Sequence, residues 1–253
     1  MTRLIRHSVA LAQRNLIGVT RNPEAFLDVT LQPIIFIGLF TVVFGGAVAH
    51  GSQHDYLQYL LPGILAQLVA FGGVAIGVNL NSDIEKGVFD RFRSLPIPRA
   101  APLVGSVLAD VVRYVVLCVV TLGFGYLIGF RATTSVPEVL AACLLVVAFA
   151  MCLSWASVWV GMLARTPGSV QGILFLILFP LTFATGIFVP TDTLPGWVQS
   201  VSKVNPLTHL VGTLRGLITG GLATSDVLWT FGWMAGMLIV FVPLALRAYG
   251  RRA

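Results

Sequence analysis

VLAACLLVVAFAMCLSWASVWVGMLA, residues 139–164, is an apolar run without a single charged side chain. An α-helix crosses the hydrocarbon core of a bilayer with about 20 consecutive apolar residues, and this run exceeds that length. A second run without charge extends from Leu57 to Ser82. Two such runs in one chain indicate an integral membrane protein whose spans are helices.

The composition of the whole chain supports the same class. Of 253 residues, 57% are hydrophobic and 10% are charged, whereas a soluble domain carries about 25% charged residues. The mean hydropathy is +0.90. Six apolar stretches are long enough to be spans: 28–49, 56–80, 103–130, 138–163, 168–189 and 227–246. We predict an all-α integral membrane protein with six transmembrane helices in a single domain, residues 1–253.

The basic residues predict the orientation of these spans. With the N-terminus inside, twelve of the sixteen lysines and arginines lie on cytoplasmic segments, as the positive-inside rule requires. This placement accounts for the net charge of +6 without nucleic acid as a partner. We expect a multi-pass protein of the cell (plasma or inner) membrane with both termini in the cytoplasm.

The N-terminal segment, residues 1–23, differs from the spans because it is amphipathic. On a helical wheel its apolar residues share one side, and the other side carries Arg3, Arg6, Arg14 and Arg21. This pattern predicts a helix in the cytoplasmic interface, with its basic face toward anionic lipid headgroups. A solvated helix packed on a partner is the alternative.

The segment 190–222 is too polar and too interrupted to be a span. Three prolines divide it, and apolar residues recur at helical spacing from Pro206 onward. We predict two short re-entrant helices at the outer leaflet, closed by Gly220 and Gly221.

Motifs of enzymes and metal sites are absent from the sequence. No phosphate-binding G-x-x-x-x-G-K-[ST], no HExxH and no GxSxG occurs, and the three cysteines lack CxxC spacing. His209 has no second ligand at metal spacing, so we expect it to be structural. Asp110 and Arg113, one helical turn apart, are interpreted as a local ion pair, or as residues that orient the preceding loop. Ion-coupled carriers place ionisable residues deep in the bilayer, and the predicted spans hold few.

The cytoplasmic segment 83–96 between spans two and three carries Phe89, Phe92 and Leu95 at a spacing of three. An apolar stripe on a charged loop favours a short amphipathic helix that inserts into a groove on a partner. A helix lying on the membrane surface is the alternative.

The run GVFDRFRSLPIPR (residues 87–99), followed by Ala109–Arg113, resembles the permease subunits of type-2 ABC exporters, nearest to the daunorubicin-resistance (DrrB-like) branch. The outer segment NPLT (205–208) and Arg215 extend the resemblance. It implies a non-catalytic membrane subunit that pairs with a second copy or a sister permease and binds cytoplasmic ATPase subunits, which hold ATP and Mg. It also implies that segment 83–96 is the coupling helix. The matching residues are Gly87, Phe89, Asp90, Arg91, Phe92, Arg93, Leu95 and Pro96.

Two phenylalanine stripes mark a candidate substrate path or dimer interface. Phe36, Phe40 and Phe44 recur at a spacing of four on span one, and Phe175, Phe179 and Phe183 do so on span five. Packing or lipid-facing rings are the alternative. The polar candidates on or near the spans are Gln32, Gln67 and Gln171, for which hydrogen bonds between helices are equally plausible.

The expected function is export of an amphipathic drug, natural product or lipid, powered by a separate ATPase. The same machinery exports polysaccharides and lipid-linked glycans, which is one alternative. A gradient-driven secondary transporter, a structural membrane subunit and a membrane-embedded enzyme are the others.

Overall fold

A computed structural model describes residues 23–48, 53–87 and 101–252, with side chains over 30–45, 53–87 and 103–250. The described chain is helical and contains no strand. Its helices are α1 (Pro23–Val48), α2 (Gln53–Gly72), α3 (Val74–Glu85), α4 (Ala101–Leu127), α5 (Val136–Leu163), α6 (Pro167–Phe183), α7 (Gly196–Ser202), α8 (Pro206–Thr219) and α9 (Thr224–Arg252). A single 3-10 turn, Thr191–Thr193, precedes α7.

Within the described residues, four helical segments are long and apolar enough to cross a membrane. They are Gln53–Glu85 (α2 with α3), Leu103–Leu127, Val136–Leu163 and Thr224–Gly250. Two shorter apolar segments, Thr30–Gly45 in α1 and Pro167–Phe183, fall below that length. All six segments correspond to predicted stretches, and the six-span arrangement itself stays a prediction.

The helix pair α2–α3 forms the centre of the bundle. Leu60, Leu61, Ile64 and Leu65 are completely buried, which explains why this stretch is apolar on every side. The helix is interrupted at Gly72–Gly73, where the ring of Tyr114 from α4 leaves little room for a side chain on Gly72. A Cβ on Gly72 would lie 3.1 Å from Tyr114 Cε1. The hydroxyl groups of Tyr114 and Ser154 on α5 are 2.9 Å apart, so the tyrosine links three helices.

Helices α3 and α5 touch backbone to backbone. A Cβ on Gly77 would lie 2.6 Å from the carbonyl oxygen of Ser157, and one on Gly161 would lie 2.6 Å from that of Gly77. Small residues permit this approach between apolar helices. Asn81 closes the contact, since its amide donates to the carbonyls of Gly161 and Ala164, each at 2.9 Å.

The periphery of the bundle is apolar. Large hydrophobic side chains are exposed on several helices, among them Leu176 (76%), Ile239 (73%) and Leu144 (71%). In water such a surface would be unfavourable, but hydrocarbon chains solvate it well. The exposed apolar belt therefore agrees with the membrane class inferred from composition.

Segment 190–222 contains two short helices, α7 and α8, as predicted. The side chain of Asn205 accepts from the Leu207 amide at 3.0 Å and caps α8, with Pro206 in the first turn. The helix ends before Gly220 and Gly221, whose φ angles of 90° and 80° favour glycine. Their re-entry into the outer leaflet stays a prediction.

The predicted coupling segment begins inside α3. Residues 83–85 form the last turn of that helix, and Gly87 follows with φ 67°. The coupling residues Phe89, Asp90, Arg91, Phe92, Arg93, Leu95 and Pro96 lie outside the described residues. The predicted interfacial helix with Arg3, Arg6, Arg14 and Arg21 also lies outside them.

Candidate substrate cavity

A cavity of about 600 Å³ lies beside the central helix pair, between α1 and α6. Seven of the eight residues predicted to line a substrate path or dimer interface contribute to its wall. They are Gln32, Phe36, Phe40, Gln171, Phe175, Phe179 and Phe183. The structure thus brings the two phenylalanine stripes together, while their role in transport stays a prediction.

Aromatic contacts form a nearly continuous wall around this cavity. The ring centroids of Phe40 and Phe188 are 4.4 Å apart, and those of Phe183 and Phe188 are 5.4 Å apart. Phe188 therefore connects the stripe on α1 with the stripe on α6. Phe44, the eighth predicted residue, is not part of the cavity wall and stacks on Phe40 at 5.5 Å.

Two aromatic residues of the wall escaped the sequence analysis. Phe71 contacts Phe175 at 5.2 Å, but it stands alone on α2 and belongs to no stripe. Phe188 lies in the non-helical segment after α6, where helical spacing carries no information. The only signal at Phe71 is its position next to the glycine pair that interrupts the central helix.

Polar side chains in the wall come from several helices. Gln32 is half-buried and Gln171 exposed, whereas Gln67 is only 5% exposed. Arg113 also lines the cavity and interacts electrostatically with Asp110 one turn earlier on α4, as expected for a local pair. Asn79 on α3 completes the polar set.

The segment that carries Phe188 is held by three side chains from two helices. The hydroxyl of Tyr56 donates to the carbonyl of Phe188 at 3.1 Å, and that of Tyr59 donates to the carbonyl of Gly186 at 2.5 Å. Arg215 on α8 also donates to Gly186, at 2.6 Å. This wall of the cavity, on the side that is predicted to be outer, is therefore fixed to both α2 and α8.

His209 joins the outer helix α8 to α9. Its Nδ1 lies 2.9 Å from the Asp226 carboxylate, and its Nε2 lies 2.9 Å from the Lys203 carbonyl. Its ring stacks on Trp229 with centroids 5.3 Å apart. These contacts support a structural role for His209.

The cavity is open on the side that α6 forms. Phe175, Phe179 and Phe183 on α6 are 41%, 54% and 49% exposed, so one wall consists of rings that the described part of the chain does not cover. An apolar molecule of moderate size can contact many aromatic faces here, with a small number of polar groups to orient it.

Comparisons with known proteins agree on one family. Residues 6–219 match the ABC-2 type transporter family. The chain is 40% identical to the daunorubicin resistance ABC transporter permease protein DrrB1 of Streptomyces coeruleorubidus, over 93% of this chain and 83% of that protein. It is 27% identical to the probable doxorubicin resistance ABC transporter permease protein DrrC of Mycobacterium tuberculosis, over 96% of this chain and 88% of that protein. The inner membrane transport permease YadH of Escherichia coli shares 25%, over 88% of each chain.

Proposed function

This chain belongs to the ABC-2 type transporter family and is a permease subunit of an ABC exporter, and we propose that it moves an amphipathic drug, natural product or lipid out of the cell. The path is the cavity between α1 and α6. The names of the relatives DrrB1 and DrrC, which refer to daunorubicin and doxorubicin resistance, support a drug as the transported molecule.

The observation that carries this proposal is the convergence of the two stripes on one cavity. Phe36 and Phe40 from α1 face Phe179 and Phe183 from α6 across a space of about 600 Å³. Ligand sites of this size are mostly apolar and aromatic with few polar groups. A glycan would need many hydrogen-bonding groups, and this wall offers few.

The energy for transport comes from a separate cytoplasmic ATPase, which holds ATP and Mg. Segment 83–96 is the contact with that ATPase, and Phe89, Phe92 and Leu95 form its apolar stripe. Gly87, with φ 67°, separates this stripe from α3, so the segment leaves the central helix pair at a sharp turn.

A second permease, either another copy or a sister subunit, covers the exposed face of α6. The rings of Phe175, Phe179 and Phe183 are about half exposed, and an exposed apolar face of this kind meets either a protein partner or lipid. In this arrangement six spans cross the cell membrane with both termini in the cytoplasm, and the two cavities face each other.

The direct test is daunorubicin efflux from proteoliposomes that contain the permease and its candidate ATPase. Phe179→Ala removes a ring from the wall and is expected to reduce efflux roughly ten-fold. Phe231→Ala on α9 is the matched control, since that ring is 55% exposed and lies outside the cavity. Equal loss in both variants, or in neither, would remove the cavity from the transport path.

The ATPase requirement is tested in the same vesicles. The double variant Arg91→Glu/Phe92→Ala is expected to abolish ATP-driven efflux while daunorubicin binding persists. Efflux that follows a proton or sodium gradient without any ATPase would contradict the exporter mechanism and favour a secondary transporter.

A further inference from the structure

Gln67 is a buried residue whose side-chain oxygen makes no hydrogen bond to the described part of the chain. It lies in the C-terminal half of α2, between Ala66 and Leu68, and is only 5% exposed. Its Oε1 has no hydrogen-bond partner within the described part of the chain. Buried amides in proteins are nearly always paired, so an exception requires an explanation.

Other buried polar side chains of this bundle do find partners. Asn205 donates to the Leu181 carbonyl at 2.7 Å, and Thr182 donates to the Phe179 carbonyl at 2.8 Å. The amide nitrogen of Asn81 donates to two carbonyls at the end of α5, although its Oδ1 has no partner among the described residues. Most buried polar side chains of the bundle thus make at least one hydrogen bond, and no such bond is seen for the Oε1 of Gln67.

The position of Gln67 distinguishes its Oε1 from the other unpaired oxygens. Thr41, Asn81 and Thr121 also carry a buried side-chain oxygen without a hydrogen-bond partner among the described residues, but none of them lines the cavity. Gln67 does line it, so a molecule bound in the cavity lies against this side chain.

The surroundings of Gln67 indicate what such a molecule looks like. Phe71, one turn along α2, contacts Phe175 at 5.2 Å, and Phe36 and Phe40 also line the cavity. Aromatic faces favour flat, apolar bodies. A carboxamide both donates and accepts, so it pairs with a hydroxyl or a carbonyl group.

We propose that Gln67 is the hydrogen-bonding subsite of the cavity and that it selects aromatic or polycyclic molecules bearing a hydroxyl or carbonyl group. The proposal rests on the function proposed above and narrows its substrate class. A neutral amide in an aromatic wall discriminates between ligands with and without a hydroxyl or carbonyl group, because a ligand that lacks such a group leaves the amide unpaired.

The test measures binding of two probes to the full chain in lipid nanodiscs, by fluorescence. Daunorubicin carries hydroxyl and carbonyl groups on a polycyclic body, whereas pyrene is an aromatic hydrocarbon without them. Gln67→Leu is expected to weaken daunorubicin binding roughly ten-fold and to leave pyrene binding unchanged or stronger. Gln67→Asn, which keeps the amide, should recover part of the loss.

Two controls separate this role from a structural one. Thr121→Val removes a buried polar atom outside the cavity and should affect neither probe, and Phe179→Ala should weaken both. If Gln67→Leu binds daunorubicin as the wild type does, or loses both probes equally, the subsite is wrong and the exporter function stands. If the wild type binds neither probe, the substrate class proposed for the cavity is wrong, and the subsite with it.

Discussion

The guanidinium of Arg215 lies over the aromatic ring of Tyr59, with its central carbon 3.7 Å from the ring centroid. The same group donates to the Tyr59 carbonyl at 3.2 Å and to the Gly186 carbonyl at 2.6 Å. One side chain of α8 therefore binds both the central helix and the segment that carries Phe188. The outer wall of the cavity depends on this contact.

Replacement of Arg215 should loosen that wall. Arg215→Ala removes the cation–π contact and two charge-assisted hydrogen bonds, and we expect it to lower the free energy of unfolding by about 2 kcal/mol. Arg215→Lys keeps the charge but loses the fork of donors, so it should lower the free energy of unfolding by about half as much as Arg215→Ala does. Thermal unfolding in detergent measures both. The exposed Arg131, which also contacts backbone carbonyls, is the control, and an Arg131→Lys variant as unstable as Arg215→Lys would contradict the argument.

The pair His209–Asp226 should couple α8 to α9. We expect His209→Phe, which keeps the stacking on Trp229, and Asp226→Ala each to destabilise the chain. In the double variant, the loss in free energy of unfolding should be about 1 kcal/mol smaller than the sum of the two single losses, because the 2.9 Å contact between the two side chains can be lost only once. Additive losses in chemical unfolding would show that the two residues act independently.

Gly161→Ala should force α3 and α5 apart. The added Cβ would lie 2.6 Å from the Gly77 carbonyl oxygen and 3.1 Å from its Cα, and such overpacking costs about 1–3 kcal/mol. Gly123→Ala on α4 is the control, because a Cβ there meets nothing within 4 Å. The expected result is a lower melting temperature for Gly161→Ala alone, and an unchanged one would mean that the two helices adjust without cost.

Gly87→Ala should impair coupling without unfolding the bundle. A φ of 67° is strained for alanine and tolerated by asparagine. ATP-driven daunorubicin efflux is therefore expected to fall in Gly87→Ala and to be largely retained in Gly87→Asn. The melting temperature of the bundle should change little in either variant. Equal efflux from both would show that the turn geometry at this residue is irrelevant.

Helical periodicity was sufficient to predict the long helices of the described chain and seven residues of the cavity wall. Apolar runs of about 20 residues identified every long helix, because burial in lipid or in the core leaves few other choices of side chain. The stripes of Phe36 and Phe40 and of Phe179 and Phe183 could be found because residues four apart share a helix face.

Contacts between distant parts of the chain could not be predicted in this way. Arg215 and Tyr59 are separated by 156 positions, and nothing in their local sequences indicates that they meet. Span five was predicted to extend to residue 189, but α6 ends at Phe183, and Phe188 reaches the cavity from a turn. The central helix extends from Gln53 to Glu85 and is longer than the predicted span 56–80. The prediction was too short because the ends of the helix are polar and an apolar run does not include them.

The glycine contact between α3 and α5 has a mechanical consequence. Because Asn81 and Gly77 hold α3 against the end of α5 at Gly161, a displacement transmitted to α3 would move both helices together. Helix α5 has 28 residues and is therefore about 42 Å long. A tilt of about 5° about this end would move the opposite end by about 4 Å. In the coupling mechanism proposed above, the joined pair would convert a small movement at the ATPase into a larger one at the far side of the membrane.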